Sequence, residues 1–187
     1  MIATRFEILD LLKLDKIIGV EIGTDQGLYA SQLLQAYPNL FLYTVDSWVP
    51  WTPGDDRQYA KDQYRANMRI VRDRSTHLEL DSVKGADKLK LVHMDFIYID
   101  AAHDETSVRK DLEAWWPLLK VHGLMAGHDF DHPGVSTPVI EFAKKHRLDL
   151  RIINEHGGPD AAGRPGSGMD RNGGWAHPTW YFLKDNT

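Results

Sequence analysis

The sequence contains no cysteine, so it offers neither a disulfide framework nor a thiolate nucleophile. It also lacks a block of basic residues to offset its net charge of -5, which argues against a nucleic-acid partner. No apolar run approaches the length of a membrane span, and the first residues lack the apolar core of a signal peptide. We therefore expect a cytoplasmic protein whose partner is neither a nucleic acid nor a membrane.

The rest of the composition is that of an ordinary globular protein, with 42% hydrophobic and 26% charged residues. A chain of 187 residues suits one domain and can bury a substantial core. Neither a repeat nor a linker divides the sequence, so we expect residues 1–187 to form a single domain.

Short apolar runs alternate along the chain with segments of helical periodicity. The runs predict strands at residues 17–22, 40–45, 77–80, 94–99, 124–127, 148–153 and 179–183. The periodic segments predict helices at residues 4–14, 28–37, 58–74, 83–89, 107–119 and 136–146. Such alternation is typical of an α/β fold with a doubly wound, mostly parallel sheet.

The turn after the first predicted strand has the pattern Glu21-x-Gly23-x-x-x-Gly27. A dinucleotide-binding turn would show Gly-x-Gly-x-x-Gly instead, and Asp25 would repel a pyrophosphate but would suit a cationic ligand. Asp46 ends the second strand, roughly 20 residues further on, where nucleotide-binding α/β folds hold a ribose. A tight turn in an unrelated α/β protein is the alternative interpretation.

Polar residues follow several of the predicted strands. The carboxyl ends of parallel strands share one edge of a sheet, and ligands bind at that edge. The residues expected there are Gly23, Asp46, Asp81, Asp100, His103, His128 and Asp129. Aspartate often ends a strand without any further role, but chance would place only one or two such residues at this edge. The larger group therefore indicates a binding or catalytic site.

Three stretches resemble a known family. They are Asp95-Phe-Ile-Tyr-Ile-Asp-Ala-Ala-His103, Val108-Arg-Lys-Asp-Leu-Glu-Ala-Trp-Trp-Pro-Leu-Leu-Lys120 and Gly123-Leu-Met-Ala-Gly-His-Asp-Phe130. Together with the glycine turn, they resemble the class I S-adenosylmethionine (SAM) dependent methyltransferases. Within that class, they are most similar to the small bacterial enzymes grouped with cephalosporin-hydroxylase-like and sugar O-methyltransferases. The sequence departs from the family at 121–123, where Val-His-Gly replaces the usual Pro-Gly-Gly of a turn.

The resemblance implies a Rossmann-like sheet of seven strands with the last strand antiparallel, and SAM as the cofactor. It assigns Glu21, Gly23 and Gly27 to the methionine end of SAM and Asp46 to the ribose hydroxyls. It also places Asp81 and Ser82 near the adenine and adds Asp100 to the cofactor-binding residues.

The resemblance also raises the question of a divalent metal, Mg²⁺ or Mn²⁺. Metal-dependent relatives bind the ion through the aspartate after strand four and an acidic pair after strand five. This sequence keeps Asp100 and Asp129 but has His128 where a carboxylate often stands. Imidazole suits Mn²⁺, Zn²⁺ or Fe²⁺ better than Mg²⁺, and His128 has the alternative of a backbone-bonded turn residue.

His103 follows Asp100 by three positions, on the same expected edge. A neutral imidazole can accept the proton of a hydroxyl acceptor, and Asp100 can orient that acceptor. The alternative is a helix cap followed by a turn histidine. We thus expect SAM-dependent O-methylation of a small hydroxylated molecule, with the loops at 48–51 and 157–174 shaping its pocket.

Two other functions stay open at this stage. One is a catalytically inactive SAM- or nucleoside-binding protein with a regulatory or assembly role. The other is a nicotinamide-dependent oxidoreductase, which the missing Gly-x-Gly-x-x-Gly disfavours. Association into a homo-oligomer also stays open.

Overall fold

The structure is a computed structural model and describes residue 2 and residues 4–50, 52–154 and 177–185. The strands are β1 (Ile17–Ile22), β2 (Leu40–Val45), β3 (Ser75–Leu78), β4 (Met94–Ile99), β5 (Leu119–Gly127), β6 (Arg151–Ile153) and β7 (Thr179–Leu183). The α-helices are α1 (Leu28–Ala36), α2 (Arg57–Met68), α3 (Ser82–Lys88), α4 (Glu105–Trp115) and α5 (Pro133–His146). Short 3-10 helices lie at Arg5–Leu11, Arg72–Arg74 and Trp116–Leu118.

One sheet of seven strands has the order β3-β2-β1-β4-β5-β7-β6. Strands β1 to β5 pair in parallel, whereas β7 runs antiparallel to both β5 and β6. This arrangement confirms the predicted doubly wound α/β fold with its last strand antiparallel. The strand order reverses between β1 and β4, and ligands bind at such a switch point in open α/β sheets.

Strand β4 shows why this sheet is covered on both faces. All six of its residues are buried. Phe96 and Tyr98 pack into one core cluster, while Ile97 and Ile99 pack into the other, because successive side chains point to opposite faces. The helices supply the other half of each cluster. Two buried faces hold the carboxyl end of β4 in place, and Asp100 follows directly.

Several element boundaries differ from the prediction. Helix α5 begins at Pro133, where a proline needs no hydrogen-bond donor, and the His132 side chain accepts from the Gly134 amide at 3.2 Å. Pro138, predicted to lie in the first turn, is inside this helix. The segment predicted as a helix at 4–14 is a 3-10 helix at Arg5–Leu11, and the predicted loop at 157–174 lies outside the described residues.

Gly23 allows the ends of β1 and β4 to approach each other. It has a φ of +85°, and a Cβ atom there would lie 2.0 Å from the carbonyl oxygen of Asp100. Any other residue would push the two strand ends apart. The glycine turn and Asp100 therefore share one border of the crevice. In the described ranges, we find no helix with the length and apolar character that crossing a membrane requires.

Candidate active site

A cavity of about 360 Å³ opens at the carboxyl edge of the sheet. Volumes of roughly 300–1,000 Å³ are typical of small-molecule sites. Five of the residues predicted to bind the cofactor line this cavity, and they are Gly23, Asp46, Asp81, Ser82 and Asp100. The structure therefore brings together residues from the ends of β1, β2, β3 and β4 around one space.

Glu21 and Gly27 do not line the cavity. Glu21 is 2% exposed, and its carboxyl group accepts a hydrogen bond of 2.6 Å from the Thr24 hydroxyl. Burial, with a smaller contribution from the charge of Asp100, raises the pKa of Glu21 to about 8. Gly27 has a φ of +69°, and a Cβ atom there would lie 2.7 Å from the Tyr64 ring. Both residues support the glycine turn from within the fold.

Two backbone amides hold the Asp46 carboxylate in place. Its Oδ2 atom accepts from the Asp25 amide at 2.9 Å, and its Oδ1 atom accepts from the Trp48 amide at 2.7 Å. Each carboxylate oxygen keeps a further lone pair for a ligand hydroxyl. Asp25 itself forms an ion pair of 2.8 Å with Arg57, a partner that the sequence pattern did not indicate. The charge of Asp25 is thus already compensated.

The loop after Asp46 supports the site by packing. Trp48 is buried, its indole nitrogen donates to the Asp25 carbonyl at 3.0 Å, and its ring lies 4.3 Å from the ring of His77. The sequence predicts that this loop shapes the pocket, and in its described part Trp48 packs at the base of the loop.

Asp81 and Ser82 begin helix α3. The Asp81 side chain accepts from the Lys84 amide at 3.0 Å and pairs with its ammonium group at 2.7 Å, which lowers the pKa of Asp81. Ser82 accepts a hydrogen bond of 2.9 Å from the indole of Trp115. Asp111 also lines the cavity and is buried, although it was not predicted. Its position on the apolar face of α4 is the sequence feature that could have indicated its burial.

Beside the cavity, one carboxylate oxygen binds two imidazoles. The Oδ2 atom of Asp129 lies 3.1 Å from His103 Nε2 and 3.1 Å from His128 Nδ1. Burial alone would raise the pKa of Asp129, but these two histidines lower it well below its usual range. The hydrogen bond to Asp129 in turn raises the pKa of His103. Burial raises the pKa of Asp100, and the charge of Asp129 adds to that effect.

Arg5 fixes the tautomer of the neutral His128 ring. Its Nη1 atom lies 2.8 Å from His128 Nε2, and a guanidinium group can only donate. The Nε2 atom must therefore accept, and the proton sits on Nδ1, directed at Asp129. Burial lowers the pKa of His128, but Asp100 and Asp129 raise it by more. With Nε2 engaged by Arg5 and Nδ1 by Asp129, neither nitrogen of His128 has a free lone pair, which disfavours this residue as a metal ligand.

His103 lies close to the two carboxylates that were predicted to bind a metal. Asp100, His103 and Asp129 offer atoms that all lie within 4.8 Å of one another, a donor set that fits a divalent cation. A second group of this kind contains Asp129, Asp131 and His177. His177, which is not among the residues expected at the site, has its Nδ1 atom 3.0 Å from Asp131 Oδ2.

Comparison with known proteins gives a family and a fold. The sequence model of a family described as "Methyltransferase domain" matches residues 20–130. No curated protein matches the chain. Similar solved structures include a precorrin-6y C5,15-methyltransferase from Geobacter metallireducens, with 15% identity over 95% of this chain and 85% of that one, at a TM-score of 0.67.

Two further similar structures are described as O-methyltransferases. The Bacillus cereus enzyme, in complex with S-adenosylhomocysteine, has a TM-score of 0.64 and 14% identity over 96% of this chain and 79% of that one. TomG from Streptomyces achromogenes, in complex with SAM, has a TM-score of 0.61 and 14% identity over 96% of this chain and 78% of that one. These likenesses show the fold. Because the family match spans more than half of the sequence, the chain belongs to the family of methyltransferase domains.

Proposed function

We propose that this protein is a SAM-dependent O-methyltransferase that acts on a small hydroxylated molecule. The observation that carries the proposal is the Asp129 carboxylate, shared by His103 and His128 beside the cavity that Asp46 borders. The two neighbours described as O-methyltransferases, one with SAM and one with its demethylated product, support this choice. Family membership alone would leave the acceptor atom open.

The cavity residues suit SAM, whose sulfonium supplies an electrophilic methyl group. Asp46 is oriented by two amides and would use its remaining lone pairs to bind the ribose hydroxyls. Gly23 lets the backbone pass close to the methionine end. Asp81 and Ser82 border the part of the cavity left for the base, and Glu21 and Gly27 keep the turn in shape.

His103 is the residue that we assign to proton transfer. Its Nε2 atom bonds to Asp129, so in the neutral ring Nε2 carries the proton and Nδ1 keeps its lone pair. That lone pair would accept the hydroxyl proton, and Asp129 would then stabilise the charged ring, as a carboxylate does in an acid–base triad. The His103 side chain is 43% exposed, so an acceptor can reach it.

A divalent cation would assign a different role to the same residues. Asp100, His103 and Asp129 would hold it, and its chemistry would be to lower the pKa of the acceptor hydroxyl. His103 would then be a ligand and no longer a base. A chelator distinguishes the two arrangements.

The test has two stages. Calorimetric titration should show binding of SAM but not of NAD. Incubation with methyl-labelled SAM and a panel of small hydroxylated acceptors should then move the label to one of them. Binding of NAD without SAM would overturn the proposal. Binding of SAM without transfer to any acceptor would favour the alternative, a protein that binds SAM without catalysis.

A further inference from the structure

Asp131 and His177 are two side chains beside the site that the proposed reaction does not use. Together with Asp129 they offer one ligand atom each, and these three atoms all lie within 4.8 Å of one another. We call these three residues the second group, and Asp100, His103 and Asp129 the first group. The two groups share Asp129, so the second group borders the proposed catalytic histidine.

The two carboxylate oxygens of Asp129 face different groups. Its Oδ2 atom lies 3.1 Å from His103 Nε2 and 3.1 Å from His128 Nδ1, whereas its Oδ1 atom lies 3.7 Å from His177 Nδ1. The proposed base therefore contacts one oxygen, and the other oxygen is turned toward the second group. A ligand of the second group can bind Oδ1 without displacing His103 from Oδ2.

The spacing of these atoms suits a cation better than a proton. His177 Nδ1 lies 3.0 Å from Asp131 Oδ2 and 3.7 Å from Asp129 Oδ1. The nitrogen carries at most one proton, and 3.7 Å is too long for a hydrogen bond, so this proton can serve only Asp131. A Zn²⁺ ion about 2.1 Å from each of its ligands, in tetrahedral geometry, separates two ligand atoms by about 3.4 Å. That separation lies between the two distances at His177.

The backbone brings Asp131 and His177 together. Strands β5 and β7 pair antiparallel, and the Phe130 amide extends this pairing by donating to the Pro178 carbonyl at 3.0 Å. Asp131 follows Phe130 and His177 precedes Pro178, so the two ligands lie beside that hydrogen bond. The His177 ring also packs edge-on against the His128 ring, with 5.7 Å between their centroids. Groups held in this way lose little conformational freedom when they bind a ligand.

We infer that Asp129 Oδ1, Asp131 and His177 bind a divalent transition-metal cation, such as Zn²⁺, Mn²⁺ or Co²⁺. An imidazole beside carboxylates suits these ions better than Mg²⁺, which prefers oxygen ligands. His177 binds the ion through Nδ1 and keeps the proton of its neutral ring on Nε2. The side chains of His177 and Asp131 are 32% and 42% exposed, so the ion can enter from solvent and water can complete its shell. The ion joins the segment that follows β5 to the segment that precedes β7.

The test is calorimetric titration of the purified, chelator-treated protein with Co²⁺. The wild-type protein should have a Co²⁺ site whose affinity falls about 100-fold or more in Asp131→Asn and in His177→Gln. Such a loss lies at or above the 10- to 100-fold range for groups that only support a metal ligand. Asp100→Asn and His103→Gln change the first group alone and should keep this site. His93→Gln, at an exposed histidine outside both groups, is the matched control.

Metal preference and thermal unfolding give two further readouts. Mg²⁺ should compete poorly with Co²⁺ in the wild-type protein, and this preference should shrink in His177→Asp, because its ligands are all oxygen atoms. Saturating Co²⁺ should raise the melting temperature of the wild-type protein but not that of Asp131→Asn or His177→Gln. The same measurement without metal shows that these variants are folded.

The outcomes separate this site from the first group and from the proposed function. The second-group site is refuted if the wild-type protein binds neither Co²⁺ nor Zn²⁺, or if binding is unchanged in both Asp131→Asn and His177→Gln. Binding that is lost only in Asp100→Asn and His103→Gln would place the cation in the first group and would refute the site as well. The site does not rest on the proposed function, so none of these results decides whether SAM binds or a methyl group is transferred.

Discussion

The aspartates after β2 and β5 are held by partners of different kinds. Asp46, after β2, accepts hydrogen bonds from the backbone amides of Asp25 and Trp48. Asp129, after β5, contacts the imidazoles of His103 and His128. Backbone amides do not titrate near neutral pH, whereas imidazoles do. In the proposed function, the half of the rim around Asp46 (the binding half) holds the cofactor in a fixed orientation, and the half around Asp129 (the proton-exchanging half) takes part in proton transfer.

Sequence distance separates the two halves as well. The amides that hold Asp46 come from the adjoining loop and from the glycine turn. The group that fixes the tautomer of His128 is Arg5, 123 positions away along the chain. The hydrogen-bond donors to Asp46 thus lie within 21 positions of it, whereas the proton-exchanging half also depends on a contact 123 positions apart.

The largest effect on the methyl-transfer rate should follow from replacing His103 in the proton-exchanging half. We expect His103→Ala to leave SAM affinity nearly unchanged and to lower the methyl-transfer rate by roughly 10²- to 10⁴-fold, the range for the loss of a general base. His103→Gln should recover little, because glutamine bonds to Asp129 without basicity. Single-turnover transfer of labelled methyl groups measures this rate, and His93→Ala, at an exposed histidine, serves as the control. A His103→Ala variant with most of its rate would leave His103 as a turn residue.

Asp129 tests whether that half holds a cation. In the cation-bound arrangement, an excess of chelator should lower turnover, and Asp129→Ala should reproduce that loss, by about 10- to 100-fold as for partners of a metal-bound group. With His103 as the base instead, the chelator should leave turnover unchanged. The comparison requires elemental analysis of the purified protein beside the rate assay. Turnover that survives the chelator, with no metal present, would restrict Asp100 and Asp129 to orienting His103 and the acceptor.

Asp46 probes the binding half. We expect Asp46→Ala to weaken SAM binding by about 1–3 kcal/mol, because charge-assisted hydrogen bonds to the ribose are lost. Calorimetric titration gives the value, and Asp73→Ala, at an exposed aspartate away from the cavity, should bind SAM like the wild-type protein. Equal affinities in all three proteins would show that the ribose lies elsewhere.

The smallest expected effect concerns Arg5. The positive charge of Arg5 lowers the pKa of His128, so Arg5→Met should raise that pKa further. Without the donor to Nε2, part of the neutral His128 rings should carry their proton on Nε2 and not on Nδ1. Nitrogen chemical shifts of the imidazole report both changes in an NMR titration. An unchanged tautomer and pKa would mean that Asp129 alone orients this ring.

Most of the sheet could be predicted from the sequence because its strands are short and apolar. The bounds of β1, β2, β4 and β7 agree with the prediction, since most of their residues are buried and each run is followed by a glycine or a charged residue. The start of α5 was missed because Pro138 suggested a first helical turn, although Pro133 takes that position.

The candidate site could be predicted only where it depends on strand ends. The rule that parallel strands share one carboxyl edge identified Asp46, Asp100 and Asp129 before the structure. It could not identify Arg5, whose approach to His128 depends on long-range packing. Nor could it show that His103, and not His128, lies with Asp100 and Asp129 in a group that could hold a cation, because that depends on the packed positions of the two imidazoles.

The pH dependence of methyl transfer tests the central claim most directly. A base must be neutral to accept a proton, and Asp129 raises the pKa of His103 above its usual 6.5. The single-turnover rate of the wild-type protein with saturating SAM should therefore fall as pH drops through that raised pKa, by about tenfold per pH unit, and level off above it. His103→Ala should lose this dependence. A wild-type rate that stays constant from about pH 6 to pH 9, around the usual histidine pKa, would contradict the account.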